Sequence, residues 1–385
     1  MATRNRIIDK LDSLEPPVKR AFLDAVSRIR GRARLGRLES AIDAGDFDAA
    51  IRAAGVTDDA IWSQVTEETR GAFREGGIFF AEQAPAGVAF SFDINNPRAE
   101  RWLREHSSEF VTRVSEDQRA AIRVALEAGA RRGDNPRRTA LDIAGRINRR
   151  TGNREGGIVG LTRQQARFVD GGIKENGTVV RGARDELLDG DWPAYKQRTR
   201  RDRRFDSIVK RAHAEGVGLS QTDADRIAAR YSDRLLQTRA ETIARTETLS
   251  GFNAGNHNSV LQAAEEGAID QNNVQRVWRD ASDGRVRDSH VSVDGTVVGL
   301  NEPFIVGGAP LMFPGDPNGP AREIIQCRCV ARNVVDWIAE EEGAVAPNRR
   351  GTPPTPSPAP TPTPTPTPAA FTSGAGPEVD ALWDS

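Results

Sequence analysis

Cysteine is almost missing from this 385-residue chain, which has only Cys327 and Cys329. Two thiols cannot make the disulfide framework of a small secreted scaffold, so that class is excluded. Aromatic residues make up 6% of the chain and hydrophobic residues 37%, against 28% charged. That is leaner than a typical enzyme interior and predicts a helix-rich, extended protein with much solvated surface. No apolar run approaches the roughly 18 residues of a bilayer crossing, so neither a membrane span nor a membrane partner is expected. Met1 to Lys10 has charge but no apolar segment ahead of a small-residue cleavage site, so a secretory signal is not expected either. Lysine is scarce too: Lys10, Lys19, Lys174, Lys196 and Lys210 are the five among 54 basic residues. Arginine pairs in a planar, bidentate way with carboxylates and phosphates. A GC-rich genome gives the same bias, and the net charge of −1 does not mark a nucleic-acid binder.

What is present divides the chain into four segments: a helical section at 1–75 broken by glycines, a helical body at 76–239, an α+β module at 240–340, and a tail at 341–385. The fold class expected is mainly α: an elongated helical body, a small α+β module and a disordered Pro-rich tail. Helix starts are legible at Pro97, at Ser115 with Gln118, at Asn135-Pro136, at Thr162 with Gln165, and at Ser220 with Asp223. A further helical segment runs from Ala240 to about Gln262, weakened by Gly251 and Gly255. Beyond Gly267 the period changes to that of strands. Val274, Arg276 and Trp278 alternate, turns are signalled at Asp283-Gly284 and Asp294-Gly295, and Ile325, Cys327 and Cys329 share one face. From Thr352 to Pro368 the chain is nearly all Thr, Pro, Ser and Ala, which predicts a solvated polyproline-like spacer. About 20 such residues reach roughly 60 Å. The spacer leads to Pro377–Ser385, where Leu382 and Trp383 among acidic residues read as a docking peptide or a frayed end.

The unusual residues gather between Ala240 and Trp337. In order they are Arg245-Thr246-Glu247, Trp278, His290 ahead of Asp294-Gly295, Pro314-Gly315-Asp316-Pro317, and Cys327-Arg328-Cys329. This ordered set resembles the phage Mu F-like head morphogenesis family, the minor capsid proteins of tailed phages. The helical stretch from Asn96 through Ala166 is similar to the region that precedes the module in such proteins. The resemblance implies a non-enzymatic minor head protein made in the host cytoplasm. It would join the portal vertex during procapsid assembly, meet portal, capsid or scaffolding proteins, and remain in the virion near packaged DNA.

The residues themselves leave several chemistries open. Cys327 and Cys329, two apart, would have Cα atoms about 6.6 Å apart on a strand, with parallel rather than converging side chains. With His290 or His257 they form a candidate zinc site, the alternative being buried structural thiols. His290 oriented by Asp294 or Asp283 is a candidate general base, or a histidine that braces a turn. A metal-dependent hydrolase or nuclease would draw on His290, Asp294, Glu247 and the cysteines. Arg245 and Glu247 are expected to be paired across the module, holding its helix against the sheet. Two basic segments, 131–154 and 196–211, are candidates for an acidic partner or a phosphate backbone. The second contains Arg198, Arg200, Arg201, Arg203 and Arg204, and a free, non-specific DNA-binding protein is the third functional reading.

Overall fold

Proline in the first turn and side-chain caps open helices where the sequence marks them. The computed structural model describes residues 2–335 apart from Ala86, Gly87, Ala89 and Glu175. The tail at 341–385, with the spacer and the candidate peptide at Leu382 and Trp383, lies outside the described residues. The N-terminal half consists of α1 (Ala2–Arg32), α2 (Leu35–Asp43), α3 (Phe47–Ala53), α4 (Ser63–Ala81) and α5 (Pro97–Arg132). Next come α6 (Pro136–Ala144), a two-residue ladder of β1 (Arg146–Ile147) with β2 (Arg154–Glu155), and α7 (Arg163–Asp170). A second small ladder, β3 (Gly172–Ile173) with β4 (Val179–Val180), precedes α8 (Ala183–Leu188), α9 (Trp192–Tyr195) and α10 (Asp206–Ala214). The 45-residue α11 (Gln221–Glu265) runs into the strand-bearing part.

The caps obey the sequence at four of these starts, Asn96 accepting from the Arg98 N–H at 3.0 Å where Pro97 opens α5. Asn135 accepts from the Arg137 N–H at 2.9 Å. Thr162 and Gln165 cap each other reciprocally at 3.1 and 3.2 Å, and the Asp223 N–H bonds Ser220 Oγ at 3.2 Å. The Ser115 and Gln118 pair does not open a helix. Both lie buried inside α5, whose apolar stripe of Phe110, Val114, Ala121 and Ile122 continues through them. Ser115 instead donates to Asp59 Oδ1 at 2.7 Å. A capping residue ends a helix only where packing lets the chain turn, and here packing carries it on.

The helical segments read at Ser220 and at Ala240 are one helix, and positions 75/76 and 239/240 both fall inside continuous helices, α4 and α11. The first 75 residues are packed into the rest of the molecule. Phe22 stacks on Trp62 at 5.4 Å, and Trp62 meets Phe110 of α5 edge-on at 6.4 Å. Ile7 and Leu11 of α1 enter the same apolar cluster as Trp278, Phe304 and the two cysteines.

Beyond α11, β5 (Val274–Arg279) is the centre of a three-stranded antiparallel sheet in which α12 (Asp288–Val291) precedes the edge strand β6 (Val297–Gly299). A hairpin of β7 (Phe304–Val306) and β8 (Ala309–Leu311) follows, then α13 (Ala321–Ile324), and β9 (Val330–Val335) completes the sheet with Trp278 opposite Ala331. Cys327 and Cys329 lie in the extended lead-in to β9 rather than within a strand, and Ile325 sits in the preceding turn. Burial still separates the two buried thiols from the half-exposed Arg328, as alternation predicts.

Candidate functional site

Cys327, Cys329 and His290 meet in the interior, each 2% exposed or less. His290 Nδ1 is 3.2 Å from Cys329 Sγ and 3.6 Å from Cys327 Sγ, and the three donor atoms lie within 4.8 Å of one another. On its other side the imidazole holds Glu323 Oε2 through Nε2 at 3.1 Å. Ser289 Oγ donates to the same carboxylate oxygen at 2.8 Å, and Arg322 Nε is 3.4 Å from its partner. Trp278 covers the ring edge-on at 5.6 Å. Within the pair, the hydrogen bond with Cys329 holds the Cys327 thiol well below its usual range, His290 adding to this against the opposing effect of burial. Cys329 moves upward, first through that same bond and then through burial.

The turn before Cys327 is held from α11. Gln326 has a positive φ of 54°, a conformation that favours glycine. Its N–H donates to Thr246 Oγ1 at 3.1 Å, and its side-chain amide donates to Thr242 Oγ1 at 2.5 Å. The Thr of Arg245-Thr246-Glu247 is therefore what fixes the cysteine turn. Arg328 grips Asp283 from outside at 2.5 and 2.7 Å and keeps that carboxyl below the usual range. Arg287 bonds the Ile325 carbonyl.

The other motif residues go to separate places. Arg245 pairs with Glu15 of α1 at 3.2 Å. Glu247, 2% exposed, accepts from His106 Nε2 at 2.7 Å and from Arg113 at 2.9 Å, both on α5. Burial raises the Glu247 carboxyl, but His106 and Arg113 outweigh it and hold the group below its usual range. These two pairs fasten α11 to the helical body and to α1, not to the sheet, because the faces bearing them look toward α5 and α1. Asp294 accepts from the Asp280 N–H at 2.9 Å and lies 3.8 Å from Arg279. Neither Asp294 nor Asp283 orients His290. Glu323 does, a residue whose short helix gave no periodic signal in the sequence. Gly295 closes the turn with φ 78°, its N–H on the Trp278 carbonyl at 2.9 Å. Gly315 has φ 80° and packs so close to α11 that a Cβ there would lie 3.4 Å from the Ser250 backbone. Asp316 folds the loop by accepting from the Met312 and Asn318 N–H groups at 2.8 and 3.0 Å.

His257 does not join the cysteines. It is buried beside Phe313 at 5.8 Å, and burial, then Arg276 and Arg98, push its pKa down to about 3. Because an unfolded histidine titrates near 6.5, the unfolded chain binds the extra proton between pH 6.5 and 3, and stability falls with pH across that window. From pH 6.5 to 5 the loss due to this group is expected to be about 2 kcal/mol. Urea midpoints should decline less steeply for His257→Leu than for the parent; parallel slopes would refute the assignment.

The basic segments are partly neutralised from within, while Arg200 is half-buried and Arg203 exposed. Arg198 grips Glu186 at 2.7 and 2.8 Å, Arg201 pairs with Asp206 at 3.1 Å, and Arg204 pairs with Asp202 at 2.6 Å. The pairing with Arg204 holds the Asp202 carboxyl down to about 2. In the first segment Arg132, Arg138 and Arg146 enter a network of the buried Asp142 with the half-buried Asp134 and Asp225, and do not form a solvated face. Two cavities of about 310 and 300 Å³ lie elsewhere: one between α1 and α4, the other lined by Ile7, Asp280, Asp294 and Arg332 among others.

Comparison with known proteins locates the similarity on this part of the chain. The family model for phage Mu protein F like protein matches residues 207–332, beginning upstream of Ala240 and taking in all of α11. An uncharacterized protein of Bacillus subtilis strain 168, YqbB, is 36% identical over 102 residues, which is 26% of this chain. The match covers 31% of that relative, so the chain spans about a third of its length. No solved structure matches the chain.

Proposed function

We propose, for a chain whose residues 207–332 are phage Mu protein F like, the role of a minor head protein that acts in phage head morphogenesis. It binds the portal vertex of the procapsid and stays in the virion. The family suggests head morphogenesis; the portal as partner is this proposal's own step. The observation that carries it is how the motif's polar groups are used. Arg245, Thr246, Glu247, Asp283 and His290 are each tied to another part of the chain, Asp316 braces its own loop, and among the described residues they gather around no common cleft. A hydrolase would need His290, Asp294 and Glu247 converging on a substrate. They bond three different sets of partners instead. DNA contact has less support, since Arg198, Arg201 and Arg204 of the five candidate arginines pair with internal carboxylates.

The direct test is co-expression of the full chain with the portal, capsid and scaffolding proteins of one phage, followed by pulldown. The portal is expected to co-purify, and failure with all three overturns the proposal. The sequence of Pro377–Ser385, hydrophobic and acidic behind a Pro/Thr-rich spacer, supports a second contact with a neighbouring head protein. Deleting it should leave urea unfolding unchanged while lowering the number of copies in purified heads. Equal copy numbers with and without the peptide would remove the docking role.

A further inference from the structure

We infer that His290 Nδ1, Cys327 Sγ and Cys329 Sγ are protein ligands of a buried structural zinc centre. Tetrahedral zinc with Zn–S near 2.3 Å and Zn–N near 2.0 Å places nitrogen and sulfur about 3.5 Å apart. The chain holds the two nitrogen–sulfur separations at 3.2 and 3.6 Å. Both nitrogen–sulfur edges are thus already near the length that the polyhedron needs, and the two sulfurs lie within 4.8 Å of each other.

The surroundings match what a zinc histidine requires. Glu323 accepts a hydrogen bond from the Nε2–H, which fixes the tautomer and leaves the Nδ1 lone pair facing the sulfurs. Glu323 is itself fixed by Ser289 and Arg322. The room it occupies exists because residue 307 is glycine: a Cβ there would sit 2.3 Å from Glu323 Oε1. The Cys329 N–H donates to Cys327 Sγ at 3.4 Å, a bond that favours a charged sulfur. Two thiolates neutralise the dication. Their protons leave to solvent as the Zn–S bonds form, so no oxidant or reductant is involved.

The centre would tie α12, which bears His290, to the turn that leads into β9. The Ile7, Phe304 and Leu311 cluster around it is small, and a metal bond supplies folding energy that such a core lacks. A disulfide is the competing use of the same sulfurs, but it would draw them to about 2.05 Å and leave the imidazole without its partner.

The test uses the full chain purified without chelators. Elemental analysis should find one zinc per chain, falling to background in Cys327→Ser, Cys329→Ser and His290→Ala. Glu323→Gln should retain the metal but bind it about 10- to 100-fold more weakly in competition with a chromophoric chelator. If the ligand variants do not fold, the parent decides. Cobalt substitution should give tetrahedral visible bands with sulfur-to-cobalt charge transfer. Both thiols should react with a thiol reagent only after chelation, and chelation should lower the unfolding midpoint. Background zinc after growth with added zinc, no charge-transfer band and a midpoint indifferent to chelator would overturn the site. None of these readouts depends on head incorporation, so this inference and the assembly role stand or fall separately.

Discussion

Replacing Gly255 by alanine should lower stability by about 3 kcal/mol, the upper end of what overpacking ordinarily costs. The same change at Gly71 should leave stability level or raise it by up to about 1 kcal/mol. Alanine is the better helix former, so propensity alone predicts a gain at both positions. What separates them is the approach of α4 to α11. A Cβ on Gly255 would lie 1.8 Å from the Phe73 carbonyl oxygen, and one on Gly76 would lie 1.9 Å from that of Phe252. A Cβ on Gly251 would lie 2.9 Å from the Thr69 carbonyl oxygen. These obstacles are helix backbone, which has no rotamer to change. Relief requires moving α4 away from α11, which opens the packing of Phe73, Phe79 and Phe252. Gly71 has nothing within 4 Å of its Cβ direction and reports propensity alone. Denaturant midpoints of the two variants measure the contrast, and a Gly255→Ala protein as stable as the parent would show that the helices slide apart freely.

These glycines illustrate what could and could not be seen in the sequence. Read locally, Gly251 and Gly255 weaken a helix. In the fold they are the groove that lets a second backbone come close, and only the position of the other helix reveals it. The caps at Asn135, Thr162 and Ser220 were legible because a cap is chemistry between neighbours in sequence. The β5 strand was legible because alternation over Val274 to Trp278 reports one buried face. The gathering of His290 with the two cysteines followed from the chemistry of the residue types. Glu323, which orients that histidine, did not, since a single carboxylate in a one-turn helix has no period and its partner is 33 residues away. The β7–β8 hairpin was missed although its signal is present. Gly307 and Gly308, both at positive φ, form the two-residue loop that primed hairpin turns need. Alternation put Arg276 on the inward face of β5 but said nothing of what it meets there. It is fully buried over the Phe304 ring at 5.3 Å, bonds the Gly299 carbonyl at 3.1 Å and also reaches the Met312 and Glu302 carbonyls. Burial lowers its pKa to about 10. Charge counted along the chain cannot tell a solvated arginine from one whose partners come from other segments.

The strongest case of such hidden pairing gives the second large effect: Arg184→Met should destabilise the chain by about 3–5 kcal/mol. Arg184 of α8 is 2% exposed and reaches three other helices. It bonds Asp170 at the end of α7 at 2.8 Å, sits 3.2 Å from Asp142 of α6, and pairs with Asp225 of α11. Burial works against its charge, yet Asp170 and Asp142 hold the guanidinium above its ordinary range. Methionine fills much of the space but leaves the carboxylates behind. Asp225 keeps Arg138 at 2.8 Å and Arg146 at 3.1 Å, and Asp142 keeps Arg146 at 2.8 Å. Asp170 is left with Arg132 at 3.7 Å. Burial already raises the Asp142 carboxyl, with Arg184 as the largest influence holding it down. Without Arg184 that pKa climbs further above its unfolded value. A carboxyl raised in the folded state is destabilising once ionised, so the deficit of the variant should grow as pH rises through the interval between the two values and shrink again in acid. Lost packing alone would cost the same at every pH. Adding Asp170→Asn to the Arg184→Met protein should recover part of the loss, because the amide removes an uncompensated charge. Urea unfolding of the parent and both variants at pH 4.5 and 7.5 distinguishes the cases. A deficit independent of pH, with no recovery in the double variant, would mean that Arg184 serves this helical body as volume rather than as charge.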